Sequence, residues 1–266
     1  MTSDTAATTP LTLHAEVYGP AEPDTDTVVL LGSLGSTTEM WLPQLDGLSD
    51  RRRVIALDHR GHGRSPATPD GDTGPTVPDL AADVLHTLDG LGVGRFAVVG
   101  LSLGGAIAQY LAATSGRVDR AVFICTAAKF GEPSGWVDRA HTARTDGVGA
   151  LADAVVARWF SPSFLETRPA TTAHFRAMIA ATPDEGYAAC CDALSQWDFI
   201  SRLGEITVPT LVVAGEHDPS TTPETVKVVA DGVAGASYVV LSPAAHLPNL
   251  EQPDTVNTLI RGFLAG

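Results

Sequence analysis

The feature that most constrains this chain is a series of short, solidly apolar, β-branched runs: Thr27–Leu31, Val54–Leu57, Phe96–Val99, Ala121–Ile124, Thr210–Val213 and Ser237–Leu241. A strand with one wet face alternates polar and apolar side chains. A run that is apolar at nearly every position predicts a strand buried on both faces, as in a parallel sheet covered by helices. Helical patterns separate the runs. Val77–Leu91 carries Leu80, Val84, Leu85 and Leu88 on one face, Ser102–Ala113 follows the third run, and Pro223–Ala230 and Pro253–Leu264 each open on proline, which suits a first helical turn. The alternation predicts an α/β fold, a mostly parallel sheet flanked by helices. Leu11–Tyr18 alternates more and reads as an antiparallel edge strand. Between Ala127 and Asp198 the buried runs stop, and Leu151–Phe160 and Ala170–Ala181 show helical spacing. The expected organisation is a flexible tail over 1–10, a core over 11–126 and 199–266, and a helical cap over 127–198 inserted after the sixth strand. Asp70–Pro78, with Gly71, Gly74, Pro75 and Pro78, reads as a turn-rich loop rather than a boundary.

Charge narrows the partners. The 266 residues hold 17 Lys and Arg against 31 Asp and Glu, a formal net charge of −14. Nucleic acids and anionic membrane surfaces are bound through extended basic patches, so neither is expected as a partner. Arg95 and Arg117 enclose an uncharged stretch, but Gly100, Ser102, Gly104, Gly105, Gln109, Thr114 and Ser115 make it a strand, turn and helix rather than a membrane span. Met1–Pro10 lacks the basic start and apolar centre of a signal peptide. The three cysteines, Cys125, Cys190 and Cys191, form neither a disulfide framework nor a zinc-ligand spacing, and read as core residues of a cytoplasmic protein. The sequence does not specify an oligomeric state.

Gly100-Leu101-Ser102-Leu103-Gly104 fits G-x-S-x-G. The pattern alone is weak in a chain with 26 glycines. Its setting is specific: an apolar run leads in and a small-residue helix leads out, as a nucleophile elbow requires. A serine hydroxyl needs a base, and the base needs an orienting carboxylate; on such a fold they follow in the order Ser, acid, His. His246 lies after the last apolar run, and Asp218 lies just past Thr210–Val213, with Glu216 as the alternative acid. Both positions follow carboxyl ends of strands, where open α/β sheets place their sites. The oxyanion formed by attack needs two backbone N–H donors. Leu103, opening the helix, supplies one. The loop Gly32-Ser33-Leu34-Gly35 supplies the other, from Ser33 or alternatively Leu34. In Asp58–Ser65 the two His and two Arg could suggest anion binding, but Gly61 and Gly63 favour a structural turn.

Gly100–Gly105, Asp58–Ser65 and Ala244-Ala245-His246 resemble the α/β-hydrolase superfamily, over nearly the whole chain from Leu11 to Leu264. A closer resemblance is to the 3-oxoadipate enol-lactonases of the β-ketoadipate pathway. It rests on Gly32–Ser36 through Met40-Trp41, Thr126–Gly131, Arg158-Trp159-Phe160, Gly186–Cys190 and Ala245–Pro253. Ser195-Gln196-Trp197-Asp198 departs from it, where a more charged stretch is expected. A chain ending at the hydrolase would leave no room for the fused decarboxylase domain that some relatives carry.

The resemblance implies hydrolysis of a small carboxylate-bearing enol-lactone through a Ser102 acyl-enzyme, with no metal or organic cofactor. It also implies a counter-charge for the substrate carboxylate in the cap, where the cations are Lys129, Arg139, Arg144, Arg158, Arg168 and Arg176. Arg139 beside Trp136 is the expected pair, because a planar guanidinium suits bidentate carboxylate binding. The same core would serve a broad carboxylesterase, a cofactor-free perhydrolase or haloperoxidase, or a non-catalytic ligand receptor, since a fold alone does not fix function.

Overall fold

A computed structural model describes residues 8–20, 22, 25–69 and 74–266. Seven strands form one sheet: β1 (Ala15–Tyr18), β2 (Thr27–Leu31), β3 (Arg53–Leu57), β4 (Phe96–Leu101), β5 (Val118–Ile124), β6 (Thr210–Gly215) and β7 (Ser237–Leu241). Their order is β1-β3-β2-β4-β5-β6-β7; only β1 runs antiparallel, against β3. The apolar runs are these strands. β2 and β6 are buried at every residue, as expected of strands covered on both faces.

Among the described residues, eleven α-helices accompany the sheet: α1 (Leu42–Leu48), α2 (Val77–Gly90), α3 (Leu103–Thr114), α4 (Pro133–Asp146), α5 (Ala152–Trp159), α6 (Pro162–Thr167), α7 (Pro169–Ala180), α8 (Asp184–Ser195), α9 (Pro223–Gly232), α10 (Pro248–Glu251) and α11 (Pro253–Ala265). The start of α2 is fixed by a capping box, with Thr76 Oγ1 accepting from Asp79 N and the Asp79 carboxylate accepting from Thr76 N.

Three expectations are corrected. The helical insertion, α4 to α8, lies between β5 and β6, so it follows the fifth strand and not the sixth. Leu11–Tyr18 and the four apolar runs before Ala127 account for the five strands ahead of it, so the expectation counted one too many. Before Ala15, backbone N–H groups donate to side chains of α2: Thr8 N to Asp79 Oδ1 (3.0 Å), Leu11 N to Asp83 Oδ1 (2.7 Å) and Leu13 N to Thr87 Oγ1 (2.8 Å). The edge strand is therefore only Ala15–Tyr18. For the same reason Thr8–Pro10 are docked rather than loose, and the Thr9 carbonyl accepts from Arg60, which forms a buried ion pair with Asp83 at 2.7 Å. Residues 1–7 of the expected tail and 70–73 of the expected loop lie outside the described residues.

The two ends of the insertion meet at its base. Lys129 and Asp198 pair as a β-bridge and as an ion pair at 3.1 Å, and Trp197 Nε1–H donates to the Ala127 carbonyl. Trp197 also stacks on Phe199, with ring centroids 4.9 Å apart. The stretch that departs from the enol-lactonase pattern thus fastens the insertion to the core. Among the described residues, no helix is long and apolar enough to cross a membrane.

Candidate active site

Ser102 occupies the turn between β4 and α3 with φ 57° and ψ −115°, a conformation that costs a non-glycine residue of order 1–3 kcal/mol. Its neighbours hold it there. Ser102 N donates to the Ile124 carbonyl, and the Ser102 carbonyl accepts from Thr126 Oγ1 at 2.7 Å. The turn requires close backbone approach. A Cβ on Gly100 would lie 2.2 Å from the Gly104 carbonyl oxygen, and one on Gly104 would lie 2.0 Å from that of Leu31. The glycines of the motif are thus steric requirements, and they present Ser102 at the carboxyl ends of the strands.

Asp218 and His246 come together from the loops after β6 and β7. His246 Nδ1–H donates to Asp218 Oδ2 at 2.7 Å, so the neutral ring keeps its lone pair on Nε2. Asp218 Oδ2 also accepts from Thr221 Oγ1–H at 2.6 Å, and Oδ1 accepts from Ser220 N and Thr221 N. Burial alone would raise the Asp218 carboxyl. The His246 imidazole and the hydrogen bonds from His246 and Thr221 outweigh it and hold the group below its ordinary value. The alternative acid, Glu216, is exposed and bonds to Ser242 Oγ–H. The His246 loop is braced by Ala245 N donating to Glu251 Oε1 (2.7 Å) and Leu247 N donating to the Trp159 carbonyl (2.9 Å).

The loop after β2 departs from the expectation at one residue. Ser33 N–H points to Met40 Sδ at 3.3 Å, so it is not the free donor anticipated. The cause is the tight turn that brings Ser36 N onto the Ser33 carbonyl, with Gly35 at φ 79°. Ser36 Oγ–H donates to the same carbonyl at 2.6 Å, and Met40 Sδ packs beneath. Leu34 N–H, the alternative, has no hydrogen-bond partner among the described residues, and neither has Leu103 N–H at the first turn of α3. The loop is registered on α3 through the Gly32 carbonyl, which accepts from Gly104 N (2.9 Å) and His59 Nε2–H (2.8 Å). His59 thereby gains a positioning role inside the Asp58–Ser65 turn, which pattern reading treats only as a turn. Asp58 ties that turn together by accepting from Thr38 N and Arg64 N.

Ser102 and His246 line one small cavity with Ser33, Leu34 and Thr221 from the core. The insertion contributes Trp136, Arg139, Arg158 and Trp159 to the same wall. Trp136 is anchored by its indole N–H on the Phe130 carbonyl at 2.6 Å, and the Arg139 guanidinium lies over the Trp136 and Tyr187 rings, 5.2 and 5.3 Å from their centroids. Arg139 and Arg158 form no ion pair among the described residues, whereas Arg144 and Arg176 bind carboxylates on the surface. Thr221 is new to the site, and Arg158, one of the six cap cations, joins the preferred Arg139 there. Arg158 stands in Arg158-Trp159-Phe160, one residue before a buried Trp on α5, a position that could have signalled a side chain at the cavity rim. A larger concavity, about 740 Å³, lies at the opposite ends of β2, β4 and β5 and contains none of these residues.

A strained serine on a strand-turn-helix elbow and a buried Asp–His pair at one sheet edge define the architecture of the alpha/beta hydrolase fold family, whose signature matches residues 26–253; the chain belongs to that family. Within it, the chain is 34% identical over 267 residues to 3-oxoadipate enol-lactonase 2 of Acinetobacter baylyi, covering 98% of this chain and 96% of the relative. Among solved structures it is similar to the enol-lactonase from Burkholderia xenovorans LB400 (40% identity, 96% of each chain, TM-score 0.91). It is also similar to a thermophilic esterase from Thermogutta terrifontis solved with malate bound (29% identity, 95% and 93% of the chains, TM-score 0.88). It is a hydrolase of this family.

Proposed function

We propose that this hydrolase opens a small enol-lactone bearing a free carboxylate, 3-oxoadipate enol-lactone, to give 3-oxoadipate. The observation that carries the reading is the cavity itself: Ser102 and an Asp218-oriented His246 share it with two guanidiniums that no carboxylate of the described residues neutralises. A neutral ester would give no reason to hold two unpaired cations beside the nucleophile. The enol-lactonase relatives support the same substrate class.

In this mechanism His246 Nε2 takes the Ser102 hydroxyl proton as Oγ attacks the lactone carbonyl. The N–H groups of Leu34 and Leu103 hold the resulting oxyanion, and the α3 N-terminus favours its charge. The acyl–oxygen bond of the ring breaks, and His246 returns its proton to the departing enolate. That leaving group remains tethered to the acyl chain, which gives it a very high effective concentration for reclosing the ring. Relaxation of the enol to a ketone removes the nucleophile and makes opening one-way. Water, deprotonated by His246, then attacks the acyl-enzyme, and Ser102 recovers its proton as the carboxylic acid leaves. Asp218 keeps the imidazole in the tautomer this sequence needs. Arg139 and Arg158 bind the substrate carboxylate, and Trp136 fixes Arg139. The reaction is complete with these groups and water. Three free, buried cysteines support a reducing compartment as its setting.

The test compares turnover of the enol-lactone and of p-nitrophenyl acetate by the wild type, Ser102→Ala, Arg139→Gln and Arg158→Gln. Ser102→Ala should abolish both activities. Each arginine variant should lose about 10–100-fold in kcat/KM on the charged lactone, the worth of a charge-assisted hydrogen bond of 1.5–3 kcal/mol, and under threefold on the neutral ester. Absence of lactone turnover by the wild type, or equal losses on both substrates, refutes the reading.

A further inference from the structure

Behind the Asp218–His246 pair lies a third group that the proposed mechanism leaves unused. Cys125 follows the last residue of β5, with its thiol fully buried. Its backbone is in the left-handed region at φ 43°, which a cysteine adopts only when its surroundings impose it. The Cys125 N–H donates to the Val213 carbonyl at 2.8 Å, which fixes the residue to β6. The thiol points at the loops carrying Asp218 and His246, with Sγ 3.7 Å from the Ala245 carbonyl oxygen. The sulfur of Cys125, a carboxylate oxygen of Asp218 and a ring nitrogen of His246 all lie within 4.8 Å of one another. Tetrahedral zinc, at about 2.0–2.3 Å from each donor, spaces its ligands about 3.5 Å apart. The cluster can therefore close on an ion with shifts of about an ångström or less.

We propose that Cys125, Asp218 and His246 form an inhibitory site for a thiophilic divalent cation of the zinc class. The donor set is one thiolate, one imidazole and one carboxylate, which suits borderline-soft ions and not magnesium or calcium. The Ala245 carbonyl or a water completes the coordination. Thr221 and His246 line the cavity wall, so an ion reaches the cluster from the substrate side by displacing the imidazole. The consequence for the reaction follows from proton accounting and rests on His246 being the general base. An ion on Nδ1 sends the Nδ1 proton to Nε2, and the Cys125 thiol proton is released to solvent, one proton per ion. His246 then presents N–H to Ser102 in place of a lone pair and cannot accept its proton, and Asp218 is drawn from orientation into coordination. Burial, then the neighbouring Asp218 carboxylate, pushes the thiol well above its ordinary range, so Cys125 stays protonated until an ion displaces the proton.

The test separates binding from catalysis. Full-length protein is titrated with Co2+, and the thiolate-to-cobalt charge-transfer absorption in the near ultraviolet is followed, alongside inhibition of hydrolysis by Zn2+ and its reversal by a chelator. The wild type and Ser102→Ala should both develop the absorption. Cys125→Ser and Cys125→Ala should lose it while keeping hydrolysis in the absence of metal. Both should also need more than 10–100-fold higher Zn2+ for half-inhibition, since loss of even an outer partner of a metal ligand costs that much. Wild-type crystals soaked in Zn2+ locate the ion without any variant; an anomalous peak between the three side chains is expected. No charge-transfer band in the wild type, an unchanged band in both Cys125 variants, or anomalous peaks only elsewhere overturns the site. Cobalt binding as described in a protein that hydrolyses no lactone or ester would instead refute the proposed function and leave the site standing.

Discussion

Adding one methyl group to Gly104 should be among the most damaging small changes available to this protein. Two effects oppose each other. Alanine is favoured over glycine in a helix by about 1 kcal/mol, and Gly104 lies in the first turn of α3. Against that, the new Cβ would stand 2.0 Å from the Leu31 carbonyl oxygen and 2.7 Å from that of Gly32. Both are backbone atoms of β2 and its loop and cannot rotate away, so α3 must retreat by roughly 1 Å to restore van der Waals contact. That retreat stretches the 2.9 Å bond from Gly104 N to the Gly32 carbonyl. Overpacking costs about 1–3 kcal/mol and a strained or lost buried bond about 1–3 kcal/mol more, so after subtracting the propensity gain the net loss is about 1–5 kcal/mol. For a chain of this size that lowers Tm by about 2–20 °C. The same movement separates Leu103 N–H from Leu34 N–H, and a 1 Å misplacement near a reacting centre can cost about 100-fold in rate. Gly262 in α11 is the control: no atom lies within 4 Å of its would-be Cβ, so Gly262→Ala should raise stability by up to about 1 kcal/mol at unchanged kcat. Thermal unfolding and kcat measured on both variants decide the matter. A Gly104→Ala protein with wild-type Tm and turnover would refute the close approach of α3 to β2 on which the oxyanion geometry depends.

Thr221→Val keeps the shape of the side chain but removes the hydroxyl that donates to Asp218 Oδ2, a hydrogen bond to a charged group worth about 1.5–3 kcal/mol. The expected outcome is a loss of about 10–100-fold in kcat with KM nearly constant, and recovery in Thr221→Ser; a large KM effect would place Thr221 in substrate binding instead. His62 is fully buried and lowered by burial, then by His59, to about 4. Between about pH 6.5 and 4 the unfolded chain therefore binds a proton that the folded state does not, so stability is complete above pH 6.5 and falls with acid, by up to about 3 kcal/mol from this residue. Denaturant unfolding from pH 7 to 4 should show that decline, and a shallower one in His62→Asn, which retains a donor for the Arg60 carbonyl.

The fold was legible wherever an apolar run is solid: Thr27–Leu31, buried at every residue, coincides with β2, and Val77–Leu91 differs from α2 by one residue. Ser237–Leu241 coincides with β7, but only Leu241 of it is buried, because β7 is an edge strand and not one covered on both faces. β5 begins three residues before the apolar run because Asp119 and Arg120 lie on its wet end, where no apolar pattern marks a strand. α4 was illegible for a related reason: only Ala140 and Ala143 of its 14 residues are buried, so its sequence carries no apolar stripe although it packs along α8. The strand count ahead of the insertion was one too high: Leu11–Tyr18 and the four apolar runs before Ala127 make five strands, the number the sheet has there.

The site shows the same division. The elbow at Ser102 and the Asp218–His246 pair could be placed in the fold because a strained elbow needs glycines at fixed positions and each partner follows an apolar strand. The choice between Ser33 and Leu34 could not, because it concerns which way a backbone N–H points, and a sulfur seven residues downstream sets that direction. The role of His59 depends on a carbonyl 27 residues away.

The net charge of −14 poses a problem for a protein proposed to bind a carboxylate, and the cavity resolves it through distance. Acidic groups spread over the surface act on a substrate largely through solvent, and at physiological ionic strength charges more than about 8 Å away are mostly screened. Arg139 and Arg158 line a small cavity walled by Trp136, Trp159 and Phe130, and under the proposed function they would meet the substrate there, with little solvent between the charges. Asp218, which orients His246, has its oxygens already accepting from His246, Ser220 and Thr221. Among the described residues, the cavity lining holds two guanidiniums and no carboxylate, so the proposed substrate would meet cations there and no anion. The distribution of charge, rather than its sum, makes an acidic chain compatible with an anionic substrate.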